Sequence, residues 1–231
     1  MTNSFSNGFG IGTYGEKALH RELKWWIEPT GKYHEIPVGK YIVDIKTESG
    51  ITEIQTQSFY KLRDKLSTLL TDNSVTLVYP LTREKQIIWV DKHSGEIIRT
   101  RRSNRQNSYY SAFWELSQIK PLLTSANLRL RLMLLDVAER RCEGERKKRY
   151  HKIDTTIRSL HDELLINNIN DYSQLIPKSL KEPFTTRDYS IETGVNTRIA
   201  GAALNVLHFV GAIARTGKSG NAYLYSRRII T

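Results

Sequence analysis

Between Tyr14 and Tyr79 the hydrophobic period switches from helical to strand-like, back to helical and to strand-like again. That order leaves few layered folds open. Leu19, Leu23 and Trp26 or Ile27 recur at helical spacing, which predicts a helix over Tyr14–Ile27, stopped by Pro29 and Gly31. Three β-rich runs follow, Tyr33–Val38, Tyr41–Lys46 and Ile51–Thr56, separated by turn signals at Gly39-Lys40 and Glu48-Ser49-Gly50. Phe59–Leu70 returns to helical spacing, with Phe59, Leu62, Leu66, Leu69 and Leu70 on one face. Val75–Tyr79 reads as a buried strand. The expected fold is α/β, a mixed β-sheet flanked by helices.

Further on, Gln86–Asp91 and Glu96–Arg101 read as a hairpin around His93-Ser94-Gly95, and Ser108–Ile119 as a helix ended by Pro121. Leu128–Ala138 alternates leucine with arginine and reads as a strand. The basic stretch Arg140–Lys152 divides the chain into two expected domains, 1–145 and 150–231. In the second, helices are expected at Ile153–Leu165, Tyr172–Leu180, from Phe184 to Thr193, and at Asn196–Ile213. A hairpin over Ala212–Arg228 closes it, with its tip at Arg215–Asn221.

The chain carries 35 Lys and Arg against 24 Asp and Glu, a formal charge of +11. An excess of that size favours a polyanionic partner, nucleic acid before others. Both parts share it, since residues 149–231 hold 11 basic and 7 acidic side chains. No apolar run reaches the ~20 residues of a membrane span. The single cysteine, Cys142, forms no internal disulfide and no thiolate metal cluster. Met1–Gly12 has neither the basic start nor the apolar core of a signal peptide. A cytoplasmic, reducing setting is the expectation.

The residues with chemistry gather around the second and third strands. Side chains alternate along a strand, so Glu53 and Gln55 share a face that Ile54 does not. The turn at Glu48–Gly50 makes the strands antiparallel neighbours and sets Asp44 near Glu53. Two carboxylates so placed repel each other unless a proton or cation intervenes. Mg2+ takes one or two protein carboxylates, with water and phosphate oxygens completing its shell. Glu16 heads the apolar stripe of the first helix and would face the sheet; the N-terminal dipole by itself accounts for an acid there. Glu35 has two readings, a metal ligand or a surface acid of an edge strand.

This arrangement resembles the PD-(D/E)xK, or restriction-endonuclease-like, nuclease superfamily. Glu16 matches its helix acid, Asp44 its strand aspartate, and Glu53-Ile54-Gln55 its (D/E)xK triplet. The likeness covers roughly the first 75 residues directly. Val43 precedes Asp44 where the pattern has proline, and Gln55 replaces the lysine that orients the attacking water and offsets phosphorane charge. Glutamine holds a water but brings no charge. The resemblance implies a metal-dependent endonuclease on DNA, with Asp44, Glu53 and the Ile54 carbonyl on Mg2+ or Mn2+, Glu16 assisting, and Gln55 positioning water. Lys46 would reach phosphate or remain a solvated lysine. A catalytically silent DNA-binding regulator or assembly protein on the same fold is the alternative, and RNA is not separated from DNA.

The C-terminal segment resembles a winged helix, a small α+β domain that docks DNA or a partner protein. Gly194 sits where a helix-turn-helix needs its turn. Thr197, Arg198 and Asn205 would meet DNA from the second helix, with Gly201 and His208 on the same face, and Arg215 and Lys218 from the wing. Association as a homodimer or with an accessory protein is compatible with this. The arginines at 99, 101, 102 and 105 surround a polar loop that contacts phosphate or is merely solvated. The four tryptophans read as packing residues, and Gly217-Lys218-Ser219 lacks the upstream glycine of a phosphate-binding loop.

Overall fold

The computed structural model describes residues 14–104, 106–144 and 150–228, and only the backbone of residues 14–17. Helix α1 spans Tyr14–Ile27. Strands β1 (His34–Val38), β2 (Tyr41–Thr47) and β3 (Gly50–Ile54) form the expected antiparallel meander. A 3-10 turn over Phe59–Leu62 leads into α2 (Arg63–Leu69), which carries the chain to β4 (Val75–Val90), parallel to β3. β4 is one strand where the sequence predicts two. It runs through Pro80, which β6 pairs on one side, while pairing with β3 ends at Val78. A proline that lacks an N–H is tolerated where one neighbour has left the ladder.

β5 (Ile97–Arg102) folds back on the far half of β4. The expected helix at Ser108–Ile119 is a string of short turns around α3 (Phe113–Leu116), flanked by 3-10 segments over Tyr109–Ala112 and Ser117–Leu122. β6 (Leu128–Glu143) runs parallel to β4, and β7 (Tyr150–Ile166) runs antiparallel to β6. The sheet order is β1-β2-β3-β4-β6-β7, with β5 on β4.

β7 corrects the helix expected over Ile153–Leu165. Its pairing with β6 slips at three places, so Ile153, Arg158 and His161 each fall outside the ladder. Such bulges break the two-residue alternation of a strand. Ile157 and Leu160 therefore land on one face and Leu164 on the other, although their spacing of three and four imitates a helix. The 1–145 and 150–231 division consequently passes between the two strands of a sheet hairpin, and β7 belongs to the sheet.

After a 3-10 segment at Ile169–Leu175, shorter than the helix expected at Tyr172–Leu180, come α4 (Thr186–Thr193) and α5 (Thr197–Phe209). They are joined at Gly194, whose φ of 70° only glycine adopts freely. Asn196 caps α5 by accepting the Ile199 N–H at 2.9 Å. β8 (Ile213–Ser219) and β9 (Ala222–Arg227) form the closing hairpin.

Two apolar clusters hold the layers together. One packs Leu23 of α1 against Ile45, Ile54, Val78, Met133, Leu135 and Val137 on one face of the sheet. The other is continuous from Val43, Leu77 and Leu130 on the opposite face, through α2 and α3, to Tyr189, Leu204 and Ile213 of the C-terminal segment. Among the described residues no helix is long and apolar enough to cross a membrane.

Candidate functional site

The β2–β3 ladder stops at the pair Ile45 and Thr52. β3 stays paired with β4 on its other edge beyond that point, through Ile54, and the Gln55 N–H goes to the Val78 carbonyl. The Asp44 carboxylate fills the gap by accepting the Ile54 N–H at 2.8 Å. Divergence of the two strands thus opens a cleft of about 530 Å3, walled by His20, Arg21 and Lys24 of α1, by Asp44, by Glu53 through Thr56, and by Lys65 of α2.

Asp44 and Glu53 face this cleft under different conditions. Burial alone would raise the Asp44 value. The hydrogen bond from His20 Nε2 (3.1 Å), its charge and the Ile54 N–H outweigh that and hold Asp44 below the usual carboxylate range. Glu53 is 3 % exposed. Burial first, and the Asp44 charge second, push it up to about 7, against the pull of Lys65. Lys65 Nζ donates to Glu53 Oε2 at 2.7 Å and to the Ile42 carbonyl at 2.7 Å. The other oxygen, Glu53 Oε1, is buried with no hydrogen-bond partner. A buried carboxylate oxygen without a partner is costly unless something is meant to fill its lone pairs.

That orphan oxygen is the test of whether a cation fits. An oxygen-seeking divalent ion would satisfy it, relieve the repulsion from Asp44 and leave room for water in the open cleft. Asp44 and Glu53 are the residues that would hold it. Among the described residues no group of three acids, histidines or cysteines stands ready as a cage. A cation held here would have two carboxylates as protein ligands and would need water or substrate oxygens for the rest of its shell.

The remaining predicted residues are distributed as follows. The Glu16 side chain lies outside the described residues; its backbone is in the first turn of α1. Gln55 lines the cleft, but its Nε2 donates to the Gln57 carbonyl at 2.5 Å. The Ile54 side chain is buried in the α1-side cluster. Lys46 pairs with Ile51 nearer the hairpin turn and is not among the cleft residues. Glu35 accepts from the buried Lys24 Nζ at 2.6 Å, which holds its carboxyl below the usual range. On α5, Thr197 is exposed, the Arg198 guanidinium lies 4.2 Å from the Trp114 ring centroid, and Asn205 accepts from Lys120 Nζ at 2.9 Å. Arg198 and Asn205 are thus engaged by the sheet-side helices. Arg215 and Lys218 lie on the closing hairpin over the Tyr223 ring.

Sequence reasoning did not find His20 or Lys65. Each borders an apolar stripe: His20 adjoins Leu19 and Leu23, and Lys65 lies between Leu62 and Leu66. Polar residues at such borders reach either solvent or the end of the sheet, and only tertiary structure separates the two.

The Domain of unknown function (DUF8091) family matches residues 17–167, from α1 to just past β7. The chain belongs to this family. It is also 27% identical over 223 residues, covering 94% of this chain and 87% of the relative, to an "Uncharacterized protein" of Treponema pallidum (strain Nichols). No solved structure matches.

Proposed function

We propose that this protein is a metal-dependent DNA endonuclease of the restriction-endonuclease-like class, with its active site in the α1–β2–β3–α2 cleft. The observation that carries the reading is the buried, partnerless Glu53 Oε1 beside Asp44, with the Lys65 ammonium on the same carboxylate. The order of α1, an antiparallel meander, α2 and a parallel β4 agrees with the likeness to that class.

Bound Mg2+ or Mn2+ would polarise a scissile phosphate and lower the pKa of an attacking water. Asp44 and Glu53 would hold the ion. Lys65, which donates to Glu53 from α2, would supply the positive charge missing at Gln55, orient the water and offset charge on the phosphorane. His20 keeps Asp44 ionised and fixes its carboxylate plane. Arg21 lines the cleft on the α1 wall, where it would attract the substrate backbone, while Lys24 beside it is neutralised by Glu35. The C-terminal segment is read as a winged helix that docks DNA or a partner through its Arg215 and Lys218 hairpin. The location this implies is cytoplasmic.

The test is incubation of supercoiled plasmid with Mg2+ or Mn2+, comparing wild type with an Asp44→Ala, Glu53→Ala double variant. Nicking or linearisation by wild type alone supports the reading. Equal DNA binding with no cleavage by either protein overturns it.

A further inference from the structure

Beyond the α/β core, β4, β6 and β7 continue as an arm, with β5 added at one edge. Register assigns each arm residue to a face. Trp89 pairs with Arg99 and Arg141, Ile87 with Arg101 and Glu139, and Arg141 with Lys152. Lys85 pairs with Val137, which lies in the α1-side cluster, so all of these residues share the face that α1 covers nearer the core. Among the described residues that face carries Lys85, Arg99, Arg101, Arg141 and Lys152 against Glu139 and Glu143. Lys85 (2.9 Å), Arg141 and Lys152 (3.8 Å) all gather on Glu139, and Arg99 and Arg101 lie exposed on β5, so positive charge remains in excess. The opposite face is balanced: Arg102 pairs with Glu84 at 3.1 Å and Arg140 with Asp154 at 3.5 Å.

The basic face is also built. The Arg99 guanidinium lies 4.7 Å from the Trp89 ring centroid, and that of Arg141 4.0 Å from Tyr150. The two rings meet edge-on at 6.1 Å. Arg141 is anchored, with its Nε and Nη2 donating to Glu139, while Arg99 is exposed over its ring and can present its N–H donors to a phosphate. Rings already covered by arginine are not platforms for unpaired bases, so the face suits phosphates rather than stacked single strands.

The distance selects a long, stiff polyanion. Trp89 lies eleven residues along β4 from Val78, the partner of Ile54 at the cleft. At strand rise that is about 36 Å, roughly one turn of B-form DNA. We propose that this arm face is a second phosphate-backbone anchor for duplex DNA, set one helical turn from the cleft. The proposal rests on the cleft being the DNA site, and α1 stands on the same side of the sheet and forms one cleft wall.

The experiment measures binding in EDTA, so it does not depend on cleavage. Fluorescence anisotropy follows labelled duplexes of about 10 and about 30 base pairs against wild type, Arg99→Ala/Arg101→Ala and Arg102→Ala. Both substituted positions on β5 are exposed, and circular dichroism checks that each variant folds. Wild type and Arg102→Ala should bind the long duplex at least about tenfold tighter than the short one. The double variant should lose most of that gain, and its salt slope should fall by about two. Retention of the full gain by the double variant overturns the anchor. So does equally tight binding of a single strand of the same length. Failure of plasmid cleavage with the binding result intact removes the nuclease reading and leaves the anchor standing.

Discussion

Glu53 has opposite consequences for stability and for binding. Its folded value, pushed to about 7, lies above its ordinary value near 4.5. The folded state therefore holds more protons than the unfolded chain across that window, and stability falls as pH rises through it. His20, raised by Asp44, acts in the same direction: its stabilising contribution is present at low pH and lost as pH rises through its folded value. The expected outcome in EDTA is a melting temperature that declines from pH 5 to pH 8. Glu53→Gln should flatten that decline and raise the pH 8 melting temperature by roughly 4–8 °C, which corresponds to about 2 kcal/mol. Adding Mg2+ should stabilise wild type at pH 8 and leave Glu53→Gln nearly unchanged. Differential scanning fluorimetry over pH and metal concentration reads all three. Lys65 separates charge from packing. Lys65→Met should abolish cleavage and push Glu53 higher still, whereas Lys65→Arg should keep part of the rate, provided the longer side chain reaches Glu53 Oε2.

At the scale of elements, the hairpin that aligns Asp44 with Glu53 depends on Gly50. Its φ is 129°, and a Cβ there would sit 2.6 Å from the Ser74 carbonyl oxygen, which accepts the Ile51 N–H. Gly50→Ala should cost about 2–4 kcal/mol by urea denaturation and weaken Mn2+ binding, because the β2–β3 register carries both carboxylates. A neutral effect would show that the turn does not set the site. This hairpin was legible because its turn residues and two short alternating runs obey local rules. The same rules failed at β7, where bulges gave Ile157, Leu160 and Leu164 a helical spacing. Asp44 and Glu53 could be placed from strand alternation and one turn. Lys65 could not, because its approach to Glu53 spans twelve residues and depends on how α2 lies across the end of β3. Arg198 and Asn205 lie exposed on α5, and their contacts with Trp114 and Lys120 depend on tertiary packing that sequence does not show.

For the whole molecule, the decisive feature is that one apolar cluster crosses from the sheet into the C-terminal helices. Leu77, Leu130 and Phe113 share it with Tyr189, Leu204 and Val206. Polar contacts reinforce the joint: the Tyr172 hydroxyl donates to the Leu123 carbonyl, and Lys120 Nζ donates to Asn205. Separation at residue 167, where the family match ends, would leave that face of the sheet uncovered. Exposed apolar area of this kind costs about 25 cal/mol for every Å2, which few small domains withstand. The chain should therefore unfold in one cooperative transition, with calorimetric and van't Hoff enthalpies in agreement. A fragment ending at residue 167 should aggregate or bind a hydrophobic dye. Two resolved transitions, or a soluble fragment with native near-ultraviolet dichroism, would mean that the shared core contributes little. One transition has a functional corollary. The closing hairpin with Arg215 and Lys218 would then hold a fixed position relative to the cleft, and a DNA molecule touching both would be held at one distance rather than over a range set by a linker.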